Sequence, residues 1–312
     1  MIFIVTCHSP DVDAIACSIG YSEFLKKKGV AASPTFFGDL SREVEFVKKY
    51  TDFFPPKKHE GKYPDGSEFI LVDVSDPADI EPVISPEKVI EIFDHRELVF
   101  ADKFVNAKLN IEKVGSCATL IAEKFRKEGI KPSRNAAIYL YSAIISNTIN
   151  FKNLVTTQRD IDAANWLKPI SQISDDYVRQ MFEYKSKIRN VNDLIFLIEQ
   201  DFATKETHGK NVGIAQVEIV NLEKVINLYR KDIKKNIEKI KKEEKDDYVL
   251  FSGIDIVKGF NIFITFDSES EELFSKVLGI QKIGEGYKTD EIIMRKQIRP
   301  KVEKILSITN QN

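Results

Sequence analysis

"MIFIVTCHSPDVDAIACSIGYSEFLKKKG", residues 1–29, decides the fold class. The apolar run over residues 2–6 is short and continuous, the pattern of a strand buried on both faces. From residue 14 to residue 29 apolar side chains recur at helical spacing, and the segment closes on lysines and a glycine, as helices do. A strand, a tight turn and a helix in succession form a β-turn-α unit. The turn between them is unusual, because it packs His8, Asp11 and Asp13 into six positions. Each of the three is a potential metal ligand.

The unit repeats down the chain. Strands are predicted at "SPTFF" (33–37), "EFILVDV" (68–74) and "VIEIFDH" (89–95), with helices over 41–50, 116–129 and 135–149. Alternation of this kind implies a parallel sheet with helices on both faces. Past residue 160 the order changes. Helices are predicted over 158–187 and a polar linker at "KSKIRNVND" (185–193), followed by strand-like segments "LIFLIEQ" (194–200), "NVGIAQVEIV" (211–220), "DYVLFSGID" (247–255) and "FNIFITF" (260–266). The reading is an α/β chain: a parallel-sheet domain over 1–187 and a smaller mixed α/β domain over 188–312.

Composition excludes several partners. Lys plus Arg number 46 against 48 for Asp plus Glu, and the net charge of -2 supplies no field to hold nucleic acid. The dense run "YRKDIKKNIEKIKKEEKDD" (229–247) interleaves both signs with isoleucines at helical spacing, which describes a solvated helix face. No apolar run approaches the ~20 residues a membrane helix needs. The first residues lack the basic lead of a signal peptide, so a cytoplasmic protein is expected. Cys7, Cys17 and Cys117 are widely spaced and form no CxxC pair, which fits reduced thiols and no structural zinc.

Open parallel sheets bind ligands at the carboxyl ends of their strands. His8, Asp11 and Asp13 follow the first strand, Asp73 ends "FILVD", and Asp94 and His95 end "VIEIFDH". A lone "PDVD" is as readily a helix cap, and a lone "DH" at a strand end is more often structural. Their joint placement on one sheet edge is what argues for a cation, because unpaired charges gathered there are costly. Two metals about 3.5 to 4 Å apart, bridged by one carboxylate, can activate water and clamp a phosphoryl oxygen. Carboxylate with imidazole suits Mn²⁺ or Mg²⁺ better than copper or structural zinc.

The motifs "HSPDVDAI" (8–15), "FILVDVSDP" (69–77), "IEIFDHRE" (90–97), "EKVGSCATLI" (112–121) and "YSAIISNTINF" (141–151) stand in the order and approximate spacing of the DHH phosphoesterases. The chain resembles in particular those with a second domain called DHHA2, the group of the manganese-dependent (family II) inorganic pyrophosphatases and related exopolyphosphatases. "THGKNVGIAQVEIVNLEKV" (207–225) and "MRKQIRP" (294–300) are similar to that second domain's own signatures. The resemblance covers nearly the whole chain.

It implies roles residue by residue. Asp73 matches the carboxylate that bridges two metals, Asp11 a ligand of the first, and Asp13 and His95 ligands of the second. The family's first-metal histidine precedes Asp11 by four residues, where this chain has Cys7; His8 sits three before, and either is open as the ligand. Asn147 stands where the pyrophosphatases have an aspartate on the second metal, and Arg96 where they have the second histidine of DHH. The implied catalytic set is Asp73, Asp94, His95 and Arg96, and the metal set His8, Asp11, Asp13, Asp73, His95 and Asn147. In the second domain Ala203 falls where a substrate lysine is expected and Met294 where an arginine is. Lys205, Arg295 and Lys296 remain, with Arg96, to meet substrate phosphate. The implied cofactor is Mn²⁺, two ions per site, with Mg²⁺ or Co²⁺ as alternatives.

The expected activity is therefore hydrolysis of a phosphoanhydride, pyrophosphate or short polyphosphate, and a homodimer is left open. A phosphodiesterase on short oligonucleotides or cyclic dinucleotides is one alternative, although the glycine-rich domain of such branches is not found. A degenerate relative that binds metal or phosphate and regulates a partner is the other. Asn147, Ala203 and Met294 favour it, and retention of Asp11, Asp13, Asp73 and His95 opposes it.

Overall fold

The computed structural model describes residues 1–8, 10–52, 54, 56–96, 101–284 and 286–309. The chain divides into two compact units, Met1–Tyr184 and Lys185–Asn312.

In the first unit the order is β1 (Ile2–Val5), α1 (Val12–Lys27), β2 (Ala32–Phe36), α2 (Arg42–Val47), β3 (Lys57–Lys58), β4 (Glu68–Val72), β5 (Val89–Asp94), β6 (Lys108–Ile111), α3 (Cys117–Lys127), α4 (Arg134–Asn147), α5 (Gln158–Ser171) and α6 (Tyr177–Lys185). The strands form one sheet in the order β3-β2-β1-β4-β5-β6, with every neighbour parallel. The edge strands β3 and β6 escaped the sequence reading because "KK" and "KLNI" carry no apolar run to mark them. In β4, Phe69 to Val72 are all buried, the signature of a strand covered on both faces.

Helix α1 is buried from Val12 through Tyr21, since it packs against β2, α3 and α4 rather than facing water. Gly20 is what lets it approach: a Cβ there would stand 3.0 Å from Leu140 Cδ2 and 3.2 Å from Ile121 Cγ2. The chain winds outward from β1 through β2 to β3, then returns to the other side of β1 as β4. The gap between the carboxyl ends of β1 and β4 is thus the switch point at which such sheets bind ligands.

The second unit runs α7 (Val191–Gln200), β7 (Phe202–Thr207), β8 (Lys210–Ile219), α8 (Leu222–Glu243), β9 (Tyr248–Asp255), β10 (Phe260–Ile264), α9 (Ser268–Leu278), β11 (Lys282–Ile283), β12 (Gly286–Thr289) and α10 (Arg295–Thr309). Its sheet is mixed, in the order β11-β12-β10-β9-β8-β7, with β8 and β9 parallel and the other pairs antiparallel. The segment "LIFLIEQ" is helical rather than a strand: Asn190 caps α7 through Asn192 and Asp193, and Leu194 and Ile198 present one buried face at a spacing of four. The charged run of α8 buries Ile233, Ile237 and Ile240 and leaves its lysines and glutamates outward, as its spacing predicts.

Candidate metal centre

Three side chains from three adjacent strand ends converge. Ligand-type atoms of Asp13, Asp73 and His95 all lie within 4.8 Å of one another. Asp13 arrives from the first turn of α1, Asp73 directly follows β4, and His95 follows β5.

Each is held by backbone. Asp11 is the N-cap of α1, its Oδ1 accepting the N–H of Asp13 at 2.8 Å and of Ala14 at 3.0 Å. Asp13 lies across the N-terminus of α3, with Oδ2 accepting the N–H of Cys117 and Oδ1 that of Ala118, both at 2.9 Å. The "GSCAT" stretch is thus an anion cradle of helix N–H groups. Cys17 Sγ also donates to Asp13 Oδ1 at 3.5 Å. Asp73 sits at φ 57°, left-handed backbone that is rare for an aspartate and gathers at functional sites. His95 Nδ1 donates to the Val114 carbonyl at 3.1 Å, which turns Nε2 toward Asp73 Oδ1, 3.4 Å away. An imidazole anchored by one nitrogen on a carbonyl and presenting the other is the arrangement of a metal ligand.

The electrostatics suit a cation-binding cluster. Burial, with Asp73 beside it, lifts the Asp13 carboxyl to about 6 against the opposing Cys117 and Ala118 N–H groups and His95. Burial and the Asp13 charge lift Asp11 to about 6 as well. Asp73 is raised by burial although Arg96 and His95 pull it down. Burial works against the His95 imidazolium, but its bond to Asp73 and the carboxylate charges prevail and hold it at about 9. Carboxylates crowded in low dielectric titrate high until a cation neutralises them. Two carboxylates and an imidazole are a donor set that fits Mn²⁺.

The other residues expected at the site are placed as follows. Asp94 is fully buried, but its Oδ2 accepts Ser75 Oγ at 2.5 Å and its Oδ1 the N–H groups of His95 and Arg96 at 2.7 and 3.2 Å. Those three bonds shape the turn that presents His95. His8 is exposed, pairs with Phe37 in an isolated bridge, and lies outside the three-residue cluster. Cys7 packs against the core with Val5 and Phe37, where burial keeps its thiol protonated. Asn147 donates its amide N–H to Asp13 Oδ2 at 2.5 Å, which sets it beside the cluster. Arg96 reaches Asp73 with Nη2 at 3.0 Å from both the carbonyl oxygen and Oδ1, and its side chain stays half exposed.

In the second unit Lys205 is exposed on β7 and Lys296 is exposed on α10. Arg295 is not a free cation: Nη2 bonds Asp201 Oδ1 at 2.6 Å and Nη1 the carbonyls of Asp201 and Ile214 at 2.7 and 3.3 Å. It ties α10 to the β7–β8 hairpin.

Asp160 was missed altogether. Fully buried, it accepts Gly115 N–H at 2.9 Å, Thr119 Oγ1 at 2.6 Å, and Thr157 N–H and Oγ1 at 2.8 and 2.7 Å. It thereby fixes the loop that carries the Val114 carbonyl and the Cys117 and Ala118 N–H groups. Its one sequence signal is the capping-box spacing from Thr157. Gly115 is required there, since a Cβ would stand 2.7 Å from Thr148 Cγ2 and 2.9 Å from Asp160 Oδ2.

Comparison with known proteins places these features in a family. Residues 1–144 match the DHH family N-terminal domain and residues 179–305 the DHHA2 domain. A "manganese-dependent inorganic pyrophosphatase" of Methanocaldococcus jannaschii is 30% identical over 97% of this chain and 99% of its own length. A "probable manganese-dependent inorganic pyrophosphatase" of Clostridium acetobutylicum is 28% identical over 95% of each chain. Among solved structures, a "putative family II inorganic pyrophosphatase" of Methanococcus jannaschii superposes with a TM-score of 0.75 at 29% identity, covering 97% of this chain and 99% of that one.

Proposed function

The chain belongs to the DHH phosphoesterases with a DHHA2 domain, the family of the manganese-dependent inorganic pyrophosphatases, and from that premise we propose a metal-dependent hydrolase of phosphoanhydrides, with pyrophosphate or short polyphosphate as substrate. The observation that carries it is the convergence of Asp13, Asp73 and His95 within 4.8 Å, at the switch point of a parallel sheet.

Mn²⁺ is the cofactor that the relatives' names support, and Mg²⁺ or Co²⁺ would suit the same oxygen and nitrogen donors. Asp13, Asp73 and His95 would hold the ion, which when bound would supply Lewis acidity toward a phosphoryl oxygen and an acidified water. The protein's part is orientation. Val114 fixes the His95 ring, the α3 N-terminus fixes Asp13, and the left-handed turn fixes Asp73. Arg96, which keeps its charge at any working pH, has N–H groups beyond those on Asp73 to offer a phosphoryl group. Lys205 and Lys296 stay candidate phosphate contacts on the strength of the resemblance. No described helix is long and apolar enough to cross a membrane.

The test is phosphate release by the purified protein with Mn²⁺, comparing pyrophosphate, triphosphate, longer polyphosphate and a dinucleotide, with Asp73→Ala as control. Release from one anhydride that vanishes in the variant is expected. Cleavage of the dinucleotide alone, or no release with Mn²⁺ bound, sinks the reading. Light scattering on the same preparation decides the homodimer that the resemblance leaves open.

A further inference from the structure

We propose that the second unit carries an anion-binding groove, centred on Arg230 of α8, that takes an oligophosphate, either free or as the tail of a nucleotide. The groove lies wholly within Lys185–Asn312, and the proposal does not depend on the hydrolase reading.

Helix α8 packs a stripe of Leu222, Ile226, Ile233, Ile237 and Ile240 against its sheet, all of them buried. Arg230 stands in that stripe, four residues after Ile226 and three before Ile233, where the period calls for an apolar side chain. It is half-buried and lines two cavities at once. One, of about 650 Å³, is bounded by α8, the β10–α9 connection and β11. The other, of about 420 Å³, is bounded by α8, β10 and β12. The stripe is thus interrupted at the turn that borders open space.

The backbone of α8 breaks at the same turn. Tyr229 has φ −114° and ψ 17°, outside the helical region, although no Pro, Gly or Ser occurs anywhere from 222 to 243. Those residues are the usual causes of a kink, so helix-breaking sequence does not explain this one. Irregular turns inside otherwise regular helices recur at functional positions.

Charge gives the ligand its sign. Among the described residues the larger cavity is lined by four cations, Arg230, Lys231, Lys234 and Lys282, and by two carboxylates, Asp267 and Glu271. Both carboxylates are already engaged. Asp267 caps α9 through Ser270 and pairs with Lys241 at 2.9 Å, while Glu271 accepts Thr265 Oγ1, Tyr287 Oη and Lys282 Nζ. In the smaller cavity Glu223 is met by Lys288 at 2.9 Å and Lys258 at 3.7 Å. Lys231 and Lys234 are exposed, and Glu238, 3.7 Å from Lys234, forms a surface pair that contributes little. The positive excess therefore falls on α8, where positions 230, 231 and 234 share one face. In a chain of net charge -2 this is a local field. An oligophosphate suits it better than a single carboxylate. The Arg230 guanidinium forks onto phosphate oxygens, the ammonium groups meet them as point charges, and several charges along one ligand match several cations along one groove.

The experiment is calorimetric titration of tripolyphosphate, ATP, adenosine and citrate into the full chain in chelator, where no metal is present to complex phosphate. Tripolyphosphate and ATP are expected to bind saturably and adenosine not at all, with affinity falling as salt rises from about 50 to 200 mM. Arg230→Gln, and separately Lys231→Gln with Lys234→Gln, should each weaken tripolyphosphate by about 10-fold or more, the loss of a charged hydrogen bond. Both lysines are exposed, so the double variant is expected to fold whatever Arg230→Gln does to the stripe. Tripolyphosphate that binds while ATP does not supports the proposal with the free chain as ligand. ATP bound without tripolyphosphate overturns it, as does citrate bound as tightly as tripolyphosphate. Unchanged affinity in either variant, or no binding at all, overturns it too.

Discussion

Asp13 Oδ2 accepts the backbone N–H of Cys117 at 2.9 Å, across 104 residues of chain. Even with that bond the Asp13 carboxyl titrates at about 6, because burial and the neighbouring Asp73 oppose its charge. A carboxyl whose folded value lies above its unfolded value binds protons more tightly when folded, so the fold gains stability as pH drops through 6 toward about 4. His95, held at about 9, contributes stability that is complete below about 6.5 and is lost as pH rises through 9. Both signs run the same way. In a chelator the thermal midpoint is expected to fall steadily from about pH 5 to 9, each kcal/mol moving it by ~2–4 °C. Mn²⁺ prefers the deprotonated groups, so the rise it confers should grow over the same window. Thermal scans with and without Mn²⁺ check this, and a chelated midpoint that climbs with pH would contradict it.

Asp73 tests charge against backbone strain. At φ 57° its backbone suits asparagine and disfavours alanine by about 1–2 kcal/mol. Asp73→Asn and Asp73→Ala should both lose phosphate release by about 10²-fold or more, beyond what loss of an outer-shell partner costs. Denaturant unfolding in chelator should separate them, with the alanine variant less stable by that strain. Equal stabilities would mean that the turn is held by something other than the residue's own tolerance.

Why Asp13, Asp73 and His95 could be found in the sequence, while Asp160 could not, follows from where they sit. Strand ends are marked by the apolar runs that precede them, so a carboxylate just past "FILV" is placed by the strand itself. Asp160 acts through bonds to residues 3 and 45 positions away, and the longer connection leaves no periodic trace. Asp94 and His95 are adjacent and read alike, yet Ser75 and two N–H groups occupy one while the other presents its ring. In the second unit, "LIFLIEQ" has apolar residues dense enough to satisfy either period, and only the Asn190 cap decides for a helix.

Asp160 is a positioning residue for the metal centre. Its removal leaves the Gly115 and Thr157 N–H groups and the Thr119 and Thr157 hydroxyls without their acceptor. Buried donors left unpaired cost about 1–3 kcal/mol each, so Asp160→Ala is expected to lose about 3 kcal/mol or more. Asp160→Asn, which keeps the volume and one acceptor, should lose less stability while weakening Mn²⁺ binding by ~10–100-fold, through movement of the Val114 carbonyl and the α3 N-terminus. Calorimetric titration of Mn²⁺ into Asp160→Asn is the check. Unchanged affinity would reduce Asp160 to a structural hub.

Arg295 gives the sharpest contrast between a cation that meets substrate and one that holds the fold. Its guanidinium spans Asp201 Oδ1 at 2.6 Å, the Asp201 carbonyl at 2.7 Å and the Ile214 carbonyl at 3.3 Å. Those acceptors are fixed in β8 and the turn before β7, so the bonds pin the first turn of α10 to the sheet. A lysine has one compact charge and cannot bridge all three. Arg295→Ala and Arg295→Lys should therefore both lower unfolding stability by about 1–2 kcal/mol, a modest figure because the pair is partly exposed. Combined with Asp201→Ala, the losses should fall short of additive by about 0.5 kcal/mol or more, as for residues in direct contact. A substrate cation behaves otherwise: its removal raises KM and leaves unfolding untouched. KM and denaturant midpoints measured on the same variants decide between the two, and a raised KM at unchanged stability would return Arg295 to the phosphate site.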